Sequence, residues 1–230
     1  MCYKFCLEIY FLCLIIILIF MNTIEKTISE ERSFIESASR EDLFLHVQKK
    51  PVHSSNFQLF CEKADMRAIK YYLGRYSLNT EGIIYVLENG TIDYLEALFA
   101  ERELDSEALN YLFEKGSQEA VCEYVRYHDL PEKFENMLFT AGFDKAAMFY
   151  VSHYILFVSS EVLMMEFGGK RMLMRYIEHE DLHTEAELLM LSKFFDVELL
   201  SAYTSKWCFS SVAQKRYDEI LSKLSENEEK

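Results

Sequence analysis

A chain of 230 residues, half of them hydrophobic, is long enough to bury a core without disulfide or metal staples. Seven glycines and two prolines are too few turn formers for a β-sandwich or barrel, so the composition predicts an all-α fold. The net charge of −14 survives removal of the first 20 residues, because Lys4 and Glu8 cancel, and such acidity argues against nucleic acid as a partner, which needs a basic face.

In chain order, the first feature is a wholly apolar run from Ile9 to Phe20, preceded by Lys4 and Glu8. It is short for a membrane-crossing helix, which needs about 20 apolar residues, and it lacks the small-residue cleavage site of a secretory signal. Met21 then opens a segment, MNTIEKTISEE, that reads as the start of a soluble chain. Residues 1–20 are therefore an upstream mis-start, a membrane anchor or a signal; a cytoplasmic location is expected, with anchorage through residues 1–20 as the alternative. Cys2, Cys6 and Cys13 lie in this leader, and no C-x-x-C pair is present. Cys61, Cys122 and Cys208 read as small buried hydrophobes of a reducing compartment.

The next segment, residues 21–207, carries an internal repeat. Leu78, Leu104, Leu130, Leu156 and Leu182 are spaced 26 apart, and Gly90, Gly116, Gly142 and Gly168 keep the same spacing. Extended backwards, the frame places Ala64 and Ala38 at the glycine position; extended forwards, it reaches Phe194, so seven units fit. Before each glycine position stands an apolar pair, from Phe34-Ile35 through Leu112-Phe113 to Met190-Leu191. That pair is the inward face of a first helix, which a left-handed glycine can end. Ser39, Asp65, Thr91, Ser117, Asp144 and Asp196 sit where the N-cap of a second helix is wanted. The second helix then carries a buried stripe, as in Leu95-Leu98-Phe99, Val121-Tyr124-Val125, Ala147-Tyr150-Val151 and Leu173-Tyr176-Ile177. Pro51 and Pro131 both fall between units, where they interrupt no helix.

These signals predict an α-solenoid of about seven two-helix repeats of about 26 residues, because one pair of short helices cannot bury its apolar stripe alone. An elongated, curved monomer is expected. A closing amphipathic helix is expected within 208–225, and the charged tail 226–230 reads as disordered. The pattern Glu107-Ala108 to Leu112, Gly116, Glu119-Ala120 and Tyr124-Val125 resembles the degenerate short two-helix repeats of largely uncharacterised bacterial α-solenoid proteins. It is similar in logic to ankyrin and tetratricopeptide arrays, but lacks the ankyrin T-P-L-H turn and the longer tetratricopeptide unit. The resemblance implies a fold and a binding role, and carries no site residues with it.

Four constellations could carry chemistry. His179-Glu180-Asp181-Leu182-His183 matches H-E-x-x-H, in which two histidines one helical turn apart bind zinc and the glutamate activates water. In the repeat frame the motif straddles a helix break, because Thr184 and Glu187 form a capping box that starts a new helix. The bland reading is two polar loop histidines. Tyr72, Tyr124, Tyr150 and Tyr176 recur at one repeat position and form either an aromatic ladder lining a groove or, more often, core. Met164, Met165, Met172 and Met174 offer the same choice between an adaptable binding face and core filling. Lys170, Arg171 and Arg175 form a compact basic cluster that could meet an acidic partner or phosphate but usually would be a solvated face.

The expected function is a non-enzymatic protein–protein interaction or scaffold module with an unidentified protein partner and no cofactor. Catalytic and metal residues are assigned to none, and the partner-binding residues are unknown. A zinc-dependent hydrolase using His179-Glu180-x-x-His183 is the alternative, and an RNA-binding helical repeat is the second alternative. Membrane contact is expected only if residues 1–20 are an anchor.

Overall fold

Helices of about ten residues are marginal alone, so every element of this chain depends on its neighbours. A computed structural model describes the backbone of residues 2–193 and 196–228, with side chains from residue 15 to residue 222. The described residues are all-helical and contain no strand. The chain divides into two compact units, Met1–Arg102 and Glu103–Lys230, and the cut falls one residue before the repeat leucine Leu104.

The first unit contains α1 (Cys2–Ser37), α2 (Arg40–Lys49), a 3-10 turn (Ser54–Asn56), α3 (Phe57–Lys63), α4 (Met66–Arg75), α5 (Thr80–Asn89) and α6 (Ile92–Phe99). α1 packs on α3 and α3 on α5, while α2 packs on α4 and α4 on α6, so alternate helices form two layers. α1 runs continuously through residue 20. Ile15 to Phe20 stay exposed, whereas Ile35, near the other end of α1, is fully buried. None of the helices, taken over the described residues, is long and apolar enough to cross a membrane.

The second unit contains α7 (Ser106–Lys115), α8 (Gln118–Tyr124), α9 (Glu132–Thr140), α10 (Asp144–Tyr150), α11 (Val158–Leu163), a π-helical turn (Met164–Gly168), α12 (Gly169–Ile177), α13 (Thr184–Lys193), α14 (Val197–Thr204) and α15 (Ser211–Glu228). The same layering holds: α7, α9, α11, α13 and α15 pack in succession, while α8 packs on α10 and α12 on α14. α15 supplies the helix expected within 208–225 and lies against α13. Its backbone stays helical through Glu228, and residues 229 and 230 of the expected tail lie outside the described residues, as does Phe194.

The stripes on the second helices are buried as expected, from Leu95, Leu98 and Phe99 to Leu173, Tyr176 and Ile177. Several local expectations need correction. Gly90 and Gly116 end their helices with extended dihedrals rather than left-handed ones, as Ala64 does, so no positive φ calls for glycine at these two positions. Only Gly142, at φ +79°, takes the left-handed region there. That turn moves the N-cap of α10 to Phe143, with Asp144 becoming the first helical residue. Ser39, Asp65, Ser117 and Asp196 cap as expected, while Thr91 holds the position without a side-chain bond. Phe34 is exposed although its neighbour Ile35 is buried, and Cys208 is exposed rather than buried.

The framework between successive units rests on a position that the repeat reading did not single out. Glu31, Glu135, Glu161 and Glu187 share one place in the 26-residue frame, and the last three are at most 1% exposed. Each carboxylate accepts the backbone N–H of the residue that opens a helix of the next unit: Glu31 from His53 (2.8 Å), Glu135 from Phe157 (2.8 Å), Glu161 from His183 (2.9 Å) and Glu187 from Ser210 (3.1 Å). Tyr150, Tyr176 and Tyr203 donate their hydroxyls to Glu135, Glu161 and Glu187, and accept the N–H of Leu130, Leu156 and Leu182. Glu187, expected to close a capping box with Thr184, thus spends its carboxylate across the unit boundary. Burial pushes these phenols up, so the hydroxyls remain donors.

Where the frame position is apolar, as Phe57, Ile83 and Leu109, the residue that would need the glutamate differs too. Asn79 and Asp105 cap their own helices through their side chains, and Pro131 has no N–H to satisfy. The helix ends are served in the same way. Arg102 donates to the carbonyls of Leu73 and Tyr76, whereas Trp207 and Lys206 donate to those of Ile177 and Glu178.

Glu161→Ala should cost about 1–3 kcal/mol, because it leaves the His183 N–H and the Tyr176 hydroxyl without their acceptor. Glu161→Gln keeps an acceptor and should be far milder. Burial pushes the Glu135 and Glu161 carboxyls above their usual range, partly offset by the hydrogen bonds they accept. Such groups favour the fold below the unfolded-state pKa, and that contribution is lost as pH rises through the raised folded value. Urea denaturation at several pH values should show this fall in the native protein, flattened in Glu135→Gln/Glu161→Gln.

Candidate functional site

The sequence-level candidates separate into those the fold consumes and those it leaves at the surface. Tyr72, Tyr124, Tyr150 and Tyr176 are at most 2% exposed, and their hydroxyls bond backbone atoms of Val52, Leu104, Leu130 and Leu156. They are core residues that clamp the start of their own repeat to its second helix, not a groove lining. Met164, Met165 and Met172 are likewise buried.

The H-E-x-x-H segment lies between α12 and α13, in turn and loop conformation over residues 178–183. The two histidines therefore lack the continuous helix that places such a pair on one metal. His183 also belongs to the inter-unit framework, its backbone N–H and Nδ1 both meeting the Glu161 carboxylate, at 2.9 and 3.0 Å. His179 stands half-exposed beside Glu178. Among the described residues, no three His, Cys, Asp or Glu side chains are grouped so as to hold a metal ion.

What remains is the basic cluster. α12 begins at Gly169, whose φ of +69° lets the chain leave the π-helical turn and start a new helix immediately. Its inward face, Met172, Leu173, Tyr176 and Ile177, is anchored in the core. The opposite face then turns Lys170, Arg171, Met174 and Arg175 outward. With Met148 of α10 and Glu178 these residues line an open groove of about 640 Å³. A volume of this order is typical of ligand sites.

The groove's cations are not equivalent. Lys170 Nζ is held by Asp196 (2.8 Å) and Glu198 (2.7 Å), both at the start of α14 and one repeat further on. Their hydrogen bonds raise the lysine's pKa, and the lysine in return lowers that of Asp196. Arg175 bonds Ser152 Oγ (2.9 Å) and Glu178 (2.8 Å), which ties α12 to the turn after α10. Arg171 is exposed and, among the described residues, has no carboxylate within ion-pairing distance. The basic cluster is thus only in part a solvated face: two of its members are fixed by the fold and one is left presented.

No family model matches the chain, and comparison with curated proteins and with solved structures finds no match either. The reading of the site rests on its own chemistry. Met148 and Met174, half-buried, give the groove an adaptable apolar floor, and the cations give it a charged rim. The cluster and Met174 were legible in the sequence but Met148 was not, because it stands on α10 and meets the α12 side chains only in the folded groove.

His179→Ala/His183→Ala should retain the helical circular dichroism signal and lose about 1 kcal/mol, the scale of the single His183 ring bond, because the backbone bond to Glu161 remains. Elemental analysis of the purified native protein should find no stoichiometric zinc. Bound zinc that disappears in the double variant would instead support the hydrolase reading.

Proposed function

We propose that residues 26–207 form a seven-unit helical-repeat array that acts as a non-enzymatic protein-binding module, with the α10–α12 groove as its contact site. The groove carries this reading, since Arg171, Met174 and Met148 meet there in an open concavity of about 640 Å³. The repeat reading is supported by a hydrogen bond that recurs in the 26-residue frame, the N–H of Leu104, Leu130 and Leu156 donated to the hydroxyl of Tyr124, Tyr150 and Tyr176. It is supported too by ion pairs between side chains one repeat apart, Arg67 with Glu41 and Lys170 with Asp196. The resemblance to degenerate two-helix repeats points the same way. A stack of this kind holds its surface side chains on rigid elements, so that binding costs little ordering.

A photo-crosslinking amino acid placed at Met174 in the intact protein, in its own cells, tests the proposal. A discrete crosslinked protein is expected, and it should be lost when Arg171→Glu is added. The same probe at Glu119, on another helix, should not yield that product. Absence of any product at Met174, or an identical pattern from Glu119, would remove the groove as a binding site.

A further inference from the structure

Independently of the groove, we propose that the N-terminal half of α1 is a lipid anchor: its uncharged stretch, residues 9–24, inserts into the hydrocarbon of a bilayer and tethers the first unit to the membrane surface. The distribution of exposure selects this occupant. Ile15, Ile16, Ile17, Leu18, Ile19 and Phe20 are consecutive, helical and each 48–66% exposed. Successive helical residues point about 100° apart, so the six carry apolar surface around the whole circumference rather than along one stripe. A single partner helix or groove covers a stripe of roughly 100° or somewhat more and would leave the remainder in water. Acyl chains surround a helix on every side, which is the covering this segment matches.

The polar groups of the segment are compatible with lipid. Thr23 returns its hydroxyl to the Ile19 carbonyl at 2.8 Å, so it needs no water, and the helical backbone satisfies itself. From residue 9 to residue 24 the chain carries no charge, and Lys26 stands just beyond. Such a stretch of 16 residues is about 24 Å long, shorter than the roughly 30 Å hydrocarbon core. A short segment is accommodated by local thinning of the bilayer and by flanking cations that reach the headgroups. The other half of α1 fastens the segment to the fold: Ile35 is fully buried, and Asn56 donates to the Ile28 carbonyl (3.1 Å) and to Glu31 (3.0 Å). With a net charge of −14 the chain as a whole is not drawn to anionic lipid, so insertion is hydrophobic and independent of headgroup charge.

Density-gradient flotation of the full-length protein, diluted from detergent into phosphatidylcholine vesicles, tests the anchor. The protein is expected to float with the vesicles at high salt as at low salt. Ile16→Glu and Leu18→Glu, about 200° apart around the helix, should each lower the ratio of vesicle-bound to free protein at least about tenfold. Sensitivity on both sides is what a surrounding solvent requires, whereas a partner covering one stripe would be disturbed from one side alone. Val212→Glu, at an exposed apolar position on α15, should float like the native protein, and matching circular dichroism spectra would exclude unfolding. Protein that stays below the vesicles, floats only with anionic vesicles at low salt, or responds at only one of the two positions would overturn the anchor. So would an oligomer that binds no vesicles, which would assign the segment to a second copy of the chain.

Discussion

The constraint on which this fold turns is the backbone N–H at the start of each first helix. A helix start leaves donors without intrahelical partners, and in a stack of short helices many such starts lie against a neighbour rather than in water. The chain answers with a buried carboxylate one unit upstream. Glu135, Glu161 and Glu187 each receive the next unit's opening N–H, while a tyrosine from the same unit donates to the carboxylate and accepts the N–H of the repeat leucine. Burial disfavours the charged form of Glu135 and Glu161, and the converging donors hold them in place. Phe57, Ile83 and Leu109 occupy that frame position only where the opening residue is Asn79, Asp105 or Pro131, which either caps for itself or has no donor. Carboxylate and opening residue thus act as a pair.

This arrangement also redistributes the residues that looked catalytic. An H-E-x-x-H run needs a helix, and here the same residues are the joint between two units. His183 is the opening residue of α13 and is claimed by Glu161 through both its backbone and its ring. Chemistry-bearing residue types at a suggestive spacing have been absorbed by the demand for satisfied donors. The basic cluster has the opposite fate. Because α12 buries Met172, Leu173, Tyr176 and Ile177, helical periodicity leaves Lys170, Arg171, Met174 and Arg175 on the outer face. There Asp196, Glu198, Ser152 and Glu178 fix two of the cations and leave Arg171 presented.

Much of the architecture was legible before any coordinates. The helical class followed from composition, and leucines and glycines spaced 26 apart carry the repeat reading. The stripes on the second helices and four of the side-chain caps, Ser39, Asp65, Ser117 and Asp196, follow from local rules that act over three or four residues. Less legible were features in which a local rule had two solutions. A helix can end at glycine with left-handed or extended backbone, and Gly90 and Gly116 take the second while Gly142 takes the first. A threonine followed three residues later by glutamate reads as a capping box, yet Glu187 serves Ser210 and Tyr203, 23 and 16 residues away.

By itself, then, the sequence determined the all-helical class, the period and the buried stripes, because helix periodicity and side-chain hydrophobicity are properties of neighbouring residues. Only the tertiary structure decided which polar groups meet. Glu161 finding His183 and Tyr176, Lys170 finding Asp196 and Glu198, and Met148 joining Met174 on one groove floor all depend on residues 15 or more positions apart. Local patterning did not single out Glu135, Glu161 or Glu187; the packing of helix on helix both buries the carboxylate and selects the donor it meets.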